Sequence, residues 1–165
     1  MSPALAYLCL GSNLGDRALH LACGRDSLRA SGVEIQRASR IYETEPTDYL
    51  TQPWFLNQVL AVRTELGPAE LQACCARVEC ACGREETFRY GPRVLDVDIL
   101  LYGDAIIDEP DLRIPHTRLL ERRFMLSLLL ELEPNAVDPR DGHALKDDLE
   151  GLDGKKVTPL TEHAS

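Results

Sequence analysis

Residues 94–102, with the sequence Val-Leu-Asp-Val-Asp-Ile-Leu-Leu-Tyr, constrain the fold more than any other segment. Side chains alternate between the two faces of a β-strand, so this pattern predicts a strand with one apolar face, made of Leu95, Val97, Ile99 and Leu101. Asp96 and Asp98 then share the opposite face, with their Cβ atoms roughly 7 Å apart. The sequence therefore predicts a sheet in which one strand carries two neighbouring carboxylates.

The segments around this strand alternate between strand and helix patterns. In chain order we predict a strand at 5–10, a helix at 14–30, strands at 33–42 and 55–64, a helix at 68–82, the acidic strand, a ribbon at 106–114 and a helix at 119–132. The prolines and polar residues of 43–53 predict irregular structure. This order predicts an α+β fold: a ferredoxin-like βαββαβ core, an antiparallel sheet flanked by helices in an α-β-α arrangement, with a C-terminal helical extension.

A chain of 165 residues predicts a single domain over residues 1–165, with its core at about 5–134 and a weakly structured tail at 135–165. The 27 acidic and 18 basic residues leave a net charge of −9, which argues against a nucleic-acid partner. No apolar stretch approaches the roughly 20 residues that span a bilayer, and we recognise no signal peptide. We expect a cytoplasmic monomer without a membrane partner.

Six cysteines lie at positions 9, 23, 74, 75, 80 and 82. The cluster at 74–82 leaves a structural zinc site open, although it lacks the paired C-x-x-C knuckles and histidines of such sites. Most of it falls in a helical pattern, where a free cysteine behaves as a small buried hydrophobe. We therefore expect free thiols in the core.

Asp96 and Asp98 are the strongest candidates for chemistry. Two carboxylates on one face repel each other unless a cation lies between them, and their hard oxygens suit Mg²⁺ beside substrate phosphates. A solvated polar strand face is the ordinary alternative, because D-x-D is a common sequence.

Arginines surround this strand in the sequence. Arg84, Arg89 and Arg93 precede it and Arg122 and Arg123 follow it. Guanidinium groups match phosphate oxygens, so this set is typical of phosphoryl transfer, while surface arginines remain the alternative. His116 has either a structural role or a role at a phosphate donor.

Aromatic residues offer a second kind of binding surface. Phe55 and Asn57 share a strand face, and a ring beside an amide suits a planar heterocycle that needs both stacking and edge hydrogen bonds. Burial in the core is the alternative for Phe55, and for Trp54 and Phe124 as well.

Six ordered motifs resemble those of the 6-hydroxymethyl-7,8-dihydropterin pyrophosphokinase family. They are Gly-Ser-Asn-Leu-Gly-Asp at 11–16, Tyr-Glu-Thr-Glu-Pro at 42–46, Gln-Pro-Trp-Phe-Leu-Asn at 52–57, the block at 91–103, Ile-Pro-His at 114–116 and Arg-Arg-Phe at 122–124. The resemblance covers about residues 5–134. Tyr90, Thr117 and Ser127-Leu128 depart from the family pattern, at positions that concern loop closure and substrate affinity.

The resemblance implies transfer of a diphosphoryl group from ATP to the hydroxymethyl group of the reduced pterin, with release of AMP, on the route to folate. It implies two Mg²⁺ ions on Asp96 and Asp98, and a pterin stacked between Phe55 and Phe124 with its edge at Asn57 and Thr44. The ATP contacts that it implies are Glu79, Arg84, Arg93, His116 and Arg122. Of these, Arg84 and Arg93 match catalytic arginines of a mobile loop and act with Asp96 and Asp98.

Two other classes of function fit the same residues. A ferredoxin-like module that binds a small molecule without turnover would keep its ligand after loss of both aspartates. A Mg²⁺-dependent nuclease or nucleotidyl-transfer enzyme could use the same acidic pair, although the acidic net charge argues against a nucleic-acid substrate.

Overall fold

In the part of the chain that the structure describes, a six-stranded antiparallel sheet has the strand order β5-β1-β4-β3-β8, with β2 also paired to β4. The computed structural model describes residues 3–46, 51–83, 94–152 and 157–159. Its elements are β1 (Ala4–Ser12), α1 (Arg17–Ala30), β2 (Glu34–Ala38), β3 (Tyr42–Thr44), β4 (Phe55–Thr64), α2 (Pro68–Ala81), β5 (Asp96–Tyr102), β6 (Ile107–Glu109), β7 (Leu112–Ile114), α3 (Arg123–Leu132), α4 (Leu145–Glu150) and β8 (Val157–Pro159).

The sheet is covered on both faces, and its strands alternate accordingly. One apolar cluster joins the sheet to α1 and α2, and includes Leu8, Leu10, Leu21, Leu28, Leu56, Leu60, Leu71, Val97 and Ile99. A second cluster joins the other face to α3 and the following segment, and includes Cys9, Val59, Ala61, Met125, Leu126, Leu129 and Leu145. The period-two prediction for residues 55–64 is therefore confirmed.

The acidic strand departs from strict alternation at its far end. Leu101 was expected beside Val97 and Ile99, but it belongs to the second cluster together with Leu100. The register between β1 and β5 shifts between Tyr7 and Leu8, where the sheet is irregular. A bulge of this kind moves the following side chains to the other face, so the prediction for Leu101 was wrong while that for Val97 and Ile99 holds.

Local signals explain where the first two helices begin. Asp16 caps α1, because its side chain accepts a hydrogen bond from the backbone N–H of Leu19 at 3.1 Å. Pro68 starts α2, and the Glu70 side chain accepts from the N–H of Gly67 at 2.9 Å. Glycine 83, expected after the second helix, follows it with a φ of +91°.

Several predicted boundaries were wrong. The first helix begins at Arg17 and not at 14, and the strand predicted at 33–42 is divided into β2 and β3. The division lies at Ser39, whose hydroxyl accepts the Val59 N–H at 2.9 Å in place of a backbone carbonyl. The last predicted helix begins at Arg123 and not at 119, because residues 116–122 form tight turns in which Leu119 N–H donates to the His116 carbonyl at 3.1 Å. Part of the segment predicted as irregular forms β3 instead. Pairing with β4 explains this strand, since Thr44 aligns with Phe55 in the register.

The region after residue 134 has more regular structure than expected. It contains α4 and β8, and β8 pairs with β3 at the edge of the sheet. Leu145 is fully buried and Ala136 is 8% exposed, so this segment adds apolar surface to the second cluster. Arg123 also donates a hydrogen bond to the Leu152 carbonyl at 3.1 Å.

The cysteines do not all remain free thiols as expected. Cys23 of α1 and Cys82, just after α2, form a disulfide. The two helices cover the same face of the sheet and contact each other, which brings these side chains together. Among the described residues, the group arranged like metal ligands is Asp138, Asp141 and His143, so the zinc alternative for the cysteine cluster gains no support.

No helix within the described ranges is long and apolar enough to cross a membrane.

His143 links two acidic residues, Asp141 and Asp148, in the segment between α3 and β8. Its Nδ1 lies 2.5 Å from Asp141 Oδ1, and its Nε2 lies 2.5 Å from Asp148 Oδ2 in the first turn of α4. Hydrogen bonds to Asp148 and then Asp141 raise the pKa of His143 to about 8. The charged imidazole is therefore the form that holds the two carboxylates together.

We predict that His143→Gln destabilises the protein more at pH 6 than at pH 9. The raised pKa gives a contribution that is complete below the unfolded value of about 6.5 and is lost as pH rises through about 8. Urea unfolding of both proteins at the two pH values measures the difference. His20→Gln reports the effect of removing a histidine elsewhere, and an equal loss at both pH values for His143→Gln contradicts the prediction.

Candidate active site

Two cavities meet at the acidic strand. The first, called here the aromatic pocket, has a volume of about 60 Å³ and is lined by Cys9, Gly11, Thr44, Glu45, Pro46, Phe55, Asn57, Asp96, Asp98, Arg122, Phe124 and Met125. The second, the open cleft, has a volume of about 390 Å³ and is lined by Gln72, Cys75, Ala76, Glu79, Val97, Asp98, Ile99, Pro110, Asp111, Leu112, Arg113, His116 and Thr117. Asp98 lines both cavities and Asp96 lines the aromatic pocket, so the two cavities meet at Asp98.

The aromatic pocket brings together all four residues predicted to contact the heterocycle. Phe55 begins β4 and Phe124 lies in the first turn of α3, and both rings line the same space. Thr44 and Asn57 come from adjacent strands, and both side chains are buried. The pocket therefore combines aromatic walls with buried polar groups, as recognition of a flat polar ring requires.

The amide of Asn57 is held by Thr44. Asn57 Nδ2 donates to Thr44 Oγ1 at 2.5 Å, and the two residues are 4% and 2% exposed. A buried amide must satisfy its polar atoms, and this bond determines which end of the group faces Thr44. Asn57 Oδ1 is therefore the end directed away from Thr44.

The backbone pairing explains why Asp96 and Asp98 reach the aromatic pocket. Asp98 aligns with Cys9 of β1, and Asp96 aligns with Gly11. These neighbours belong to the sheet face that carries Asn57, so both carboxylates lie beside the predicted heterocycle contacts. The predicted common face of the two aspartates is confirmed.

Glu79 lines the open cleft and also has a structural contact, while its predicted role at ATP stays a prediction. Its Oε2 accepts a hydrogen bond at 2.8 Å from the backbone N–H of Val97, the residue between the two aspartates. Glu79 belongs to α2, and the residue is 9% exposed. Glu79 thus attaches the edge of β5 to α2 and fixes the position of the acidic strand relative to the open cleft.

His116 also lines the open cleft, as an uncharged ring. Burial, followed by the positive charges of Arg122 and Arg118, lowers the pKa of His116 to about 4. Its Nδ1 accepts from the backbone N–H of Arg118 at 3.0 Å, while the backbone N–H of His116 donates to the Leu100 carbonyl at 3.0 Å. The neutral ring therefore carries its proton on Nε2, which acts as a hydrogen-bond donor.

The predicted arginines have different positions. Arg122 lines the aromatic pocket beside both aspartates and not the open cleft, so its assignment to ATP stays a prediction. Arg84, Arg89 and Arg93, together with Tyr90, lie outside the described residues.

Sequence reasoning missed the residues that hold the segment before Phe55. Asn13 donates through Nδ2 to Gln52 Oε1 at 2.8 Å and to the Pro53 carbonyl at 3.0 Å. Arg17 donates to Glu43 Oε2 and to the Trp54 carbonyl, both at 2.9 Å. The Asn13 position within a Gly-Ser-Asn turn was a signal, but nothing in the sequence shows that this turn meets residues 52–54.

Cys9 is a second missed residue of the aromatic pocket. The residue is 4% exposed, and burial, with the nearby Asp98 carboxylate, raises the pKa of its thiol, which stays protonated. The strand period of β1 was the available signal, because it puts Cys9 and Gly11 on one face. A neutral thiol at this position adds no charge to the acidic pair.

The donor set at Asp96 and Asp98 fits a hard divalent cation. Both groups offer carboxylate oxygens at a cavity boundary. The softer groups in the lining are less suited to a metal, because Nδ1 of His116 already accepts from Arg118, and burial raises the pKa of the thiols of Cys9 and Cys75 so that both stay protonated. Asp138 differs, because Arg140 pairs with its carboxylate through two nitrogens.

Comparison with known proteins finds, along most of the chain, the family that the sequence motifs resemble. Residues 7–134 match the family model described as 7,8-dihydro-6-hydroxymethylpterin-pyrophosphokinase. The chain is 42% identical over 136 residues to a 2-amino-4-hydroxy-6-hydroxymethyldihydropteridine pyrophosphokinase of Aquifex aeolicus, which covers 82% of this chain and 84% of the relative. It is 38% identical over 154 residues to the folic acid synthesis protein fol1 of Schizosaccharomyces pombe, covering 93% of this chain but 21% of that longer protein.

A solved structure with the description HPPK-DHPS in complex with substrates has the same fold, with a TM-score of 0.72 and 14% sequence identity. The match covers 92% of this chain and 43% of that one. The family match and the similarity to the Aquifex aeolicus relative lead to one conclusion: this chain belongs to the 7,8-dihydro-6-hydroxymethylpterin-pyrophosphokinase family.

Proposed function

We propose that this chain transfers the diphosphoryl group of ATP to the hydroxymethyl group of 6-hydroxymethyl-7,8-dihydropterin and releases AMP, as a step of folate synthesis. Membership of the family supports the reaction class. The observation that carries the proposal is the shared position of Asp98, which lines both the aromatic pocket and the open cleft. A group-transfer enzyme needs such a junction, because acceptor and donor must meet at one point.

The aromatic pocket holds the acceptor. Phe55 and Phe124 stack against the pterin ring, and Asn57 and Thr44 make hydrogen bonds to its edge. The hydroxymethyl group then points toward Asp96 and Asp98, which line the same pocket. This arrangement brings the hydroxyl oxygen to the boundary with the open cleft.

The open cleft holds ATP with its phosphates at Asp98. The pterin hydroxyl oxygen bonds to the β-phosphorus, the bond from that phosphorus to the oxygen bridging to the α-phosphorus breaks, and AMP leaves with the bridging oxygen. The hydroxyl proton passes to solvent. His116 donates from Nε2 to a phosphate oxygen, and Arg84, Arg93 and Arg122 supply positive charge to the same group.

Asp96 and Asp98 would hold magnesium, for which we propose two ions, and the bound metal would supply charge neutralisation at the phosphates. Glu79 keeps these carboxylates in position through the N–H of Val97. The family resemblance also assigns Glu79 to the nucleotide site, which its position in the lining of the open cleft supports.

We further propose the layout and state of the protein. The order β5-β1-β4 with two helices on one face supports a ferredoxin-like core, and α4 supports a C-terminal helical extension. A single domain, a monomeric state and a cytoplasmic location remain proposals. So does the expected absence of nucleic-acid and membrane partners.

Product analysis tests the proposed reaction. Protein is incubated with Mg-ATP, with and without 6-hydroxymethyl-7,8-dihydropterin, and parallel samples contain a chelator. AMP that requires both pterin and Mg²⁺ supports the proposal. ADP in place of AMP contradicts it, and so does pterin binding without any nucleotide product, which indicates the binding module.

We predict that Asp98→Asn lowers kcat by about two to three orders of magnitude, the scale for removing one electrostatic contact from a transition state. The amide keeps the size of the side chain but removes the charge that binds the cation. Steady-state AMP formation at saturating substrates measures the effect. Asp104→Asn, at an exposed position beyond β5, is the matched control and retains activity. Equal kcat values for the two variants contradict the role of Asp98.

We predict that His116→Ala lowers kcat/KM for ATP by about 10- to 100-fold, because a hydrogen bond to a charged phosphate is worth about 1.5–3 kcal/mol. Steady-state AMP formation at varied ATP measures the effect, and an unchanged kcat/KM contradicts the contact.

In the wild-type protein, we predict that the His116 ring stays neutral at neutral pH because its pKa is lowered, so its NMR signals do not titrate between pH 5.5 and 8. The contribution of the neutral His116 ring to the free energy of unfolding is complete above the unfolded pKa of about 6.5. It is lost as pH falls toward the folded pKa of about 4. Titration of the ring near pH 6.5 in the folded protein contradicts this account.

A further inference from the structure

Gly11 lines the aromatic pocket, between two residues of the proposed site. It belongs to β1 and aligns with Asn57 of β4 on one side and with Asp96 of β5 on the other. The residue is buried and lines the pocket. A side chain at this position would therefore enter the space where the acceptor binds.

The backbone conformation does not explain a glycine at this position. Gly11 lies within a regular strand, and the glycines with positive φ among the described residues are at other positions. Glycine inside a strand weakens the strand, and it often marks a point where another group approaches closely. We therefore expect that a neighbouring group, and not the backbone conformation, requires glycine at position 11.

The group that approaches Gly11 is the amide of Asn57. A Cβ atom added to Gly11 would lie 2.6 Å from Asn57 Oδ1, which is closer than Cβ contacts in proteins allow. It would also lie 3.5 Å from Cδ1 of Phe55. Asn57 cannot simply turn away, because its Nδ2 donates to the buried Thr44 Oγ1 at 2.5 Å.

We propose that Gly11 is a positioning residue that determines specificity for the pterin, an inference that rests on the proposed function. Because it has no Cβ, Asn57 keeps Nδ2 on Thr44 and Oδ1 above Gly11, where the oxygen accepts a hydrogen bond from an N–H group of the pterin ring. The pocket thus selects a heterocycle with a donor at this edge. An alanine forces the amide to move and removes this acceptor.

A double-mutant cycle tests the inference. Isothermal titration calorimetry measures the Kd of 6-hydroxymethyl-7,8-dihydropterin for wild type, Gly11→Ala, Asn57→Ala and the double variant, each with Mg²⁺ and α,β-methylene-ATP. We expect Gly11→Ala to weaken pterin binding at least tenfold, and less than twofold in the Asn57→Ala background, because the amide on which it acts is absent. Equal effects in both backgrounds overturn the inference.

Two further variants separate this effect from general damage to the fold. Gly24→Ala is the matched control, since its Cβ would lie 3.0 Å from Leu10 and 3.1 Å from Leu95 on the opposite side of the sheet. We expect it to change stability without changing the Kd for the pterin. If Gly11→Ala does not fold, the double variant Gly11→Ala/Asn57→Ala still tests the inference, because it lacks the Asn57 oxygen that the new Cβ would meet at 2.6 Å. We expect the double variant to fold as Asn57→Ala does, and a double variant that also fails to fold overturns the inference.

The design distinguishes this inference from the proposed function. Wild-type protein that forms pterin-dependent AMP but shows an additive cycle overturns the role of Gly11 alone. Wild-type protein that forms no AMP, yet binds the pterin with a non-additive cycle, overturns the proposed reaction alone.

Discussion

Electrostatic repulsion between Asp96 and Asp98 is the constraint around which the candidate site is arranged. The strand repeat directs both carboxylates to one face, at a separation of roughly 7 Å between Cβ atoms. A cation that binds both groups offsets this repulsion, and phosphates bring further oxygens to the same cation. The position of Asp98 at the junction of the two cavities then determines where a donor and an acceptor can meet.

The remaining structure holds the acidic strand between these cavities. On one side, β1 aligns Cys9 and Gly11 with the two aspartates, and both residues line the aromatic pocket. At the outer edge, Glu79 of α2 accepts the N–H of Val97, so a helix fixes the part of the strand that carries the charges. Both contacts are made by buried groups, whose positions vary little once the two apolar clusters have formed.

Sequence patterns predicted the elements whose period is clear and failed where tertiary contacts decide. The alternation in residues 55–64 was sufficient for β4, and the Asp-x-Asp spacing was sufficient for the common face of the carboxylates. Leu101 was misplaced because a register shift between strands cannot be read from one strand. The contacts of Asn13 with Gln52 and Pro53, and the disulfide between Cys23 and Cys82, join segments far apart in sequence, so neither has a local signal.

The central claim is that the two substrates occupy different cavities that meet at the acidic pair. A crystal structure of the protein with Mg²⁺, α,β-methylene-ATP and 6-hydroxymethyl-7,8-dihydropterin tests it most directly. The account predicts the pterin between Phe55 and Phe124, the phosphates in the open cleft beside His116, and the cations on Asp96 and Asp98. A pterin bound in the open cleft, or phosphates bound away from both aspartates, would contradict it.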